Sequence, residues 1–334
     1  MTSAAGFLDP AILFFVLGLV AGALKSDLEI PQPVARFLSL YLLMALGLKG
    51  GFALNATGLT AEVGQSLASA LVLALVVPAL GYLLLRRFLP AFDAAALAAT
   101  YGSVSAVTFI TATQALESRG IEYGGHMAAA MALMESPAIV MAVLLAHLAR
   151  RREAAAGTAG AAASTPAAHA PTALGPVLRE ALTDGAQLLL IGAMVVGLLS
   201  GPAGATAMKP FAGDLFKGML AFFLLDMGLL AARNVSKLRG RSPWLLAYAV
   251  CGPVVHASLA LALGLVLGLQ TGNVALLMVL AASASYIAVP AVIRHAIPEA
   301  NPSLYFGLSL GVTFPLNILL GIPVCIAVAQ WATG

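Results

Sequence analysis

The stretch "LAATYGSVSAVTFIT", residues 97–111, sets Thr100, Ser103, Ser105, Thr108 and Thr111 around Gly102 in the middle of an otherwise apolar run. A membrane helix gains nothing from a row of hydroxyls and a glycine at its centre. The segment therefore predicts an interrupted helix whose small polar middle holds something. A second stretch, "LAASASYIAVPAV" at 280–292, has the same kind of centre and adds Pro290, which lacks a backbone donor and disfavours a continuous helix. Two such segments, inverted relative to each other, bring freed backbone groups and half-helix ends together near the middle of a bilayer.

The rest of the chain supports that setting. Of its 334 residues, 61% are hydrophobic and 9% charged, against roughly 45–50% and about 25% in a soluble domain. One large core cannot absorb that difference, so most of the chain faces lipid or other membrane helices. Few aromatics and much Ala, Leu and Gly suit closely packed helices rather than a barrel. A net charge of +3, carried at the ends of apolar runs, gives nucleic acid nothing to bind. Cys251 and Cys325 lie within apolar runs and imply no disulfide framework. No nucleophile–base or metal-ligand spacing appears, so neither an enzyme nor a bound cofactor is expected. No Lys or Arg precedes the first apolar run, which argues against a cleavable signal peptide.

Runs of about 20 apolar residues span a bilayer. Ten are read here: 10–24, 34–54, 62–85, 94–115, 124–149, 185–200, 210–231, 243–269, 273–293 and 303–330. Basic residues crowd one alternate set of connections, with Arg86, Arg87, Arg150, Arg151, Arg152 and Arg239 among them. The other set holds only Arg119, Lys209 and Lys217. That bias predicts both termini on the extracytoplasmic side of the plasma (inner) membrane. "REAAAGTAGAAASTPAAHAPTALGP", 152–176, reads as a cytoplasmic tether.

The tether separates similar halves. "LDPAILFFVLGLVAG" (8–22) parallels "TDGAQLLLIGAMVVG" (183–197), and "LGLKGGFALN" (46–55) parallels "LDMGLLAARN" (225–234). "MESPAIVMAVLLAHL" (134–148) lies over "VTFPLNILLGIPVCI" (312–326). Five spans per half is an odd number, so the second copy enters from the opposite side. The expected fold is an all-α integral membrane protein of ten transmembrane helices. Residues 1–150 form the first five-helix repeat, 151–182 a linker and 183–334 the second, inverted repeat, with interrupted helices four and nine crossing at the midplane.

Gly102, Ser103, Ser105, Thr108, Ser283, Ser285 and Tyr286 are the candidate anion-binding residues. Half-helix N-termini and freed N–H groups hold anions, while carbonyls and hydroxyls hold a cation. A carboxylate buried in a membrane is costly. Glu135, just before Pro137, is therefore the candidate coupling group, with Ser105 and Ser283 beside the cation. Lys49 and Asp226 occupy matching regions of the two halves and are expected to form a structural ion pair. His126 and His256 read as packing residues.

"GLKGGFALN", "YGSVSAVTFITATQALESRGIEY", "MESPAIVMAVLLAHL" and "RHAIPEANPSLYFGLSLGVTFPLNILLGIP" resemble the sodium-dependent bicarbonate symporter family, known best from cyanobacteria. The resemblance implies sodium-coupled uptake of bicarbonate, a homotrimer, and a PII-like regulatory protein at the cytoplasmic face. "GSVSA" retains the glycine and second serine of the family's span-four motif, Gly102 and Ser105. In span nine, Tyr286 replaces the family's acidic residue and Val289 its glycine. Two alternatives follow. One is a proton-coupled carrier of another small anion such as a short carboxylate, and the other a non-transporting membrane sensor.

Overall fold

A computed structural model describes residues 9–157, 185–235 and 242–334, and among these every regular element is helical. In hydrocarbon the backbone must bond to itself, and helices satisfy that within one segment. Helix α1, Pro10–Ala23, starts on Asp9, whose carboxylate accepts from Ala11 N at 2.9 Å, with Pro10 in the first turn. Then come α2 (Gln32–Thr57), α3 (Ala61–Leu85), α4 (Ala91–Gly102), α5 (Ala106–Glu117) and α6 (Met127–Gly157). The second half contains α7 (Gly185–Met208), α8 (Phe216–Val235), α9 (Pro243–Leu267), α10 (Thr271–Ala282) and α11 (Ala288–Ala296). The last helix, α12, runs Pro302–Thr333 through two π-helical stretches.

Seven helical stretches are long and apolar enough to cross a membrane. The sequence predicts ten spans, and particular residues account for the difference. α1 and α10 are only 14 and 12 residues long. Residues 185–235 form one helical run in which α7 and α8 are joined by the π-turn Lys209–Asp214. Within α7 the helix breaks at Gly201, whose φ of 54° is non-helical and open to glycine, so the predicted end at 200 falls on a kink and a second helical piece continues to Met208. α6 continues to Gly157, into the stretch read as linker. The rest of that linker lies outside the described residues.

The helices pack as two groups. α1 lies along α8, and α2 along α7. Both contacts depend on glycine. A Cβ on Gly18 would collide with the Leu225 carbonyl of α8, and one on Gly228 with the Phe15 carbonyl of α1. Likewise Gly51 faces the Met194 carbonyl of α7, and Gly197 the Leu48 carbonyl of α2. Small residues let helix backbones approach where lipid supplies no hydrophobic drive. The second group packs α3 on α4 and α6, α9 on α10, and α5 on α10.

Both polar stretches are breaks. α4 stops at Gly102, Ser103–Ser105 are non-helical, and α5 begins at Ala106. α10 stops at Ala282 and α11 begins at Ala288. Pro290 therefore stands in the first turn of α11, where a helix has no internal use for its N–H. It starts the second half-helix instead of kinking a continuous one.

Candidate functional site

The two breaks bond to each other. Ser285 N donates to Thr100 O at 2.9 Å, and Ser105 N donates to the Ser283 Oγ at 3.0 Å. Ser283 Oγ in turn donates to Leu280 O at 2.8 Å, and Asn317 Nδ2 caps the Ala282 carbonyl at 2.8 Å. Thr100 O at the end of α4, and Leu280 O and Ala282 O at the end of α10, thus meet protein donors.

The N-terminal ends are arranged differently. Ser105 caps α5, its Oγ accepting from Thr108 N at 3.2 Å and from Thr108 Oγ1 at 2.9 Å. Ser285 Oγ accepts from Val289 N of α11 at 3.4 Å. A hydroxyl has one proton and two lone pairs. Ser105, with both lone pairs taken, has only its proton left, and that side chain also bonds Tyr286 on the cavity wall, while Ser285 keeps its proton.

That orientation matters because both residues line one cavity of about 230 Å³, far above the roughly 10–15 Å³ that one water requires. Ala106 and Ala288, the first residues of α5 and α11, line it as well. Two helix N-termini, each carrying partial positive charge, therefore open into the same space. The other polar groups on its walls are Ser39, Glu135, Gln187 and Tyr286. Glu135 is half-buried and is the one carboxylate among the lining residues, which include no Lys or Arg. The Tyr286 hydroxyl lies 3.8 Å from the Met227 sulfur of α8.

Of the predicted site residues, the cavity gathers Ser105, Glu135, Ser285 and Tyr286. Four others support it from behind. Ser283 and Thr108 hold Ser105, as described. Gly102 packs its α-carbon on the Pro78 ring of α3, where a Cβ would come within 2.6 Å of the ring carbons. Ser103 is buried beside the crossing, and its Oγ has no hydrogen-bond partner among the described residues. Sequence reasoning missed Ser39 and Gln187. Each is a single polar residue near the start of an apolar run, a pattern that interfacial residues share.

The ion pair expected between Lys49 and Asp226 does not form. Lys49 Nζ instead bonds Glu117 at the end of α5, 3.1 Å from Oε1 and 3.0 Å from Oε2, and lies 4.4 Å from the centre of the Phe216 ring. The reason is helical phase. Gly47 and Gly51 face α7, and a residue two positions from each points about 200° away at 100° per residue, toward α5. Tyr123 Oη donates to Glu117 at 2.8 Å. Burial and the neighbouring carboxylate push this phenol above its ordinary range, so it remains a donor. Asp226 stays buried, its Oδ2 without a hydrogen-bond partner among the described residues. His126 and His256 are buried packing residues.

No curated protein matches the chain. A family model does, over residues 10–330, a match that takes in both breaks and every residue lining the cavity. By that match the chain belongs to the Na+-dependent bicarbonate transporter superfamily.

Proposed function

We propose that this protein is a secondary transporter that takes up bicarbonate together with sodium across the inner membrane, through the cavity at the crossing. The supporting observation is the convergence of the α5 and α11 N-termini, with Ser105 and Ser285 beside them on the wall, on one cavity. Donors and dipole ends of one sign suit the oxygens of an anion. Glu135 supplies the opposite requirement. An anion entering beside a carboxylate, with no basic side chain on the walls, needs a cation to offset the repulsion. Sodium at Glu135 meets it, and binding of each ion then favours binding of the other; of the hydroxyls expected beside the cation, Ser105 has both lone pairs taken and Ser283 stands behind the wall.

A ten-span inverted repeat with both termini outside belongs to the same reading. The reciprocal packing of α1 on α8 and α2 on α7 supports it, since a pseudo-twofold axis exchanging the halves would carry one pair onto the other. The cavity contacts the first half of α2 at Ser39 and Leu43, while Lys49–Glu117 joins the two groups of helices farther along both α2 and α5. In this reading the pair closes one face while the other is open, and rocking of the groups exchanges them. A homotrimer completes the proposal, tested by the mass of the solubilised particle. Most of the stretch that would meet a PII-like protein, residues 158–182, lies outside the described residues.

A proton in place of sodium is the second reading, favoured by Glu135 being the one carboxylate on the walls. Uptake of labelled bicarbonate into proteoliposomes, with and without a sodium gradient, tests the proposal. Uptake that follows the gradient supports it. Uptake driven by pH alone favours the proton, and no uptake in either condition overturns both.

A further inference from the structure

At one end of the helix bundle two arginines stand without a protein partner. Arg86 and Arg87 close α3 in a tight turn, with Arg86 N on Tyr82 O at 3.0 Å and Leu89 N on Leu85 O at 2.9 Å. Both residues are exposed, and neither has an ion pair or hydrogen bond among the described residues. Asp93, the next acid along the chain, is occupied by Asn301 N at 2.7 Å. Other arginines of the basic-rich connections are held by protein. Arg150 pairs with Glu299 at 3.0 Å, and Arg233 donates to Leu28 O at 3.3 Å. Orienting a span requires only that such charges be present, and leaves the surface built around Arg86 and Arg87 without a reason.

That surface is amphipathic. Phe88, next to Arg87 in the turn, stacks on Trp244 in the first turn of α9, with ring centres 5.8 Å apart and planes 17° from parallel. Phe88 is 53% and Trp244 68% exposed, so the pair forms a shelf on the outside of the protein. Aromatic rings of this kind settle at the level of the lipid headgroups. Toward the middle of α3, Leu84 and Leu80 extend the stripe that Arg87 and Phe88 end, at the i, i+4 spacing of one helix face, and both are exposed. The surface thus runs from apolar side chains through an aromatic shelf to two guanidinium groups. A soluble anion uses only the last of these, whereas a phospholipid uses all three.

We propose that this surface is a binding site for an anionic phospholipid, with the phosphodiester on Arg86 and Arg87 and an acyl chain along Leu84 and Leu80. Guanidinium groups meet phosphate oxygens in paired hydrogen bonds. A zwitterionic lipid brings its own cation beside the arginines and loses that advantage. The shelf joins the turn after α3 to the first turn of α9, so a bound lipid holds the two helix ends together. The site does not depend on what the cavity carries.

The chain has two tryptophans, which gives the test a local probe. In Trp331→Phe, reconstituted as the full chain in bilayers, Trp244 is the sole tryptophan, and its quenching by lipids with brominated acyl chains reports the lipid beside it. Brominated phosphatidylglycerol should be preferred over brominated phosphatidylcholine at least about fivefold, the worth of one arginine at an anionic headgroup. Arg86→Gln combined with Arg87→Gln should abolish the preference, and each single variant should fall between. Trp331, read alone in Trp244→Phe, lies at the end of α12 and should show no preference. Equal quenching of Trp244 by the two lipids, with both arginines in place, overturns the proposal. So does a preference that survives in the double variant, or in both single variants if the double does not fold. A preference at Trp331 as large as that at Trp244 overturns it too, because the whole protein then gathers the anionic lipid. Inorganic phosphate that abolishes the preference, against chloride at matched ionic strength, assigns the arginines to a soluble anion and removes the lipid.

Discussion

Removing Lys49 should open the sealed side of the crossing. Along α2, Lys49 is six residues beyond Leu43 of the cavity wall, about 9 Å at 1.5 Å per residue. Along α5, Glu117 is twelve beyond Ser105, about 18 Å. Both displacements lead from the cavity toward the same face, and the pair ties α2 of one helix group to α5 of the other. Its side chains are 25% and 35% exposed, so the ion pair is worth about 1 kcal/mol, the upper end of the surface range. The cation–π contact with Phe216 of α8 stays within one helix group and does not enter this balance. Losing the ion pair shifts the balance between sealed and open forms about fivefold. The reporter is Thr111→Cys, midway along α5 and buried, in a Cys251→Ala, Cys325→Ala background. Maleimide labelling in detergent should run about fivefold faster when Lys49→Ala is added. Glu117→Gln should have a similar effect, and the double variant should exceed neither by much, because both remove the same pair. Unchanged labelling in both single variants, or additive effects in the double, would refute the latch.

Other consequences follow from the same geometry. Ser105→Ala removes the cap of α5 and a donor to the cavity, so bicarbonate uptake should show KM raised about fivefold to tenfold, on a loss of about 1 kcal/mol. Glu135→Gln takes away the charge that a cation must offset, and uptake assays should then find the sodium or pH dependence gone. Transport with an unaltered ion dependence would exclude Glu135 from coupling. His126, in the connection before α6, is held below its ordinary imidazole pKa by burial, while the Glu62 carboxylate pulls the other way. The unfolded chain then takes up this proton first as pH falls, so the stability His126 confers is present above about pH 6.5 and lost below it. Thermal unfolding in detergent should show Tm falling between pH 7.5 and 5.5, with a shallower slope in His126→Gln.

The two breaks were legible because their residues are anomalous in an apolar run. Ser103, Ser105, Ser283 and Ser285 are poor choices for uninterrupted lipid-facing helix, and Pro290 cannot continue one. Partners were not legible. Lys49 meets Glu117, 68 positions away, because the glycines at 47 and 51 fix the rotation of α2, and rotation is a property of the packed pair. The same limit hid Gln187, whose sequence context suits an interface between membrane and water equally well. Gly102 and Thr108 were recognised as unusual, yet the structure uses them to pack Pro78 and to orient Ser105. Residue type marked the region, and tertiary contact decided which side chains reach the cavity.

The reciprocal pairing of the breaks also bears on why both helices are interrupted. A single broken helix leaves four N–H and four C=O groups without intrahelical partners at the gap, which hydrocarbon cannot satisfy. Here each gap is served from the other: Thr100 O by Ser285 N, and Ser105 N by Ser283 Oγ. The bonds engage carbonyls at the ends of α4 and α10 and leave the first residues of α5 and α11 on the cavity, a polarity that suits negative charge. A lone break would need water or lipid headgroups to do the same. In the proposed inverted-repeat transporter, duplication and inversion of one unit would solve two problems together, the stability of irregular backbone at membrane depth and the assembly of an anion site from that backbone. Ser283→Ala probes the link between them. It removes the acceptor for Ser105 N without touching the cavity wall, so thermal stability and anion affinity should fall together. A loss of one without the other would separate two roles that the geometry joins.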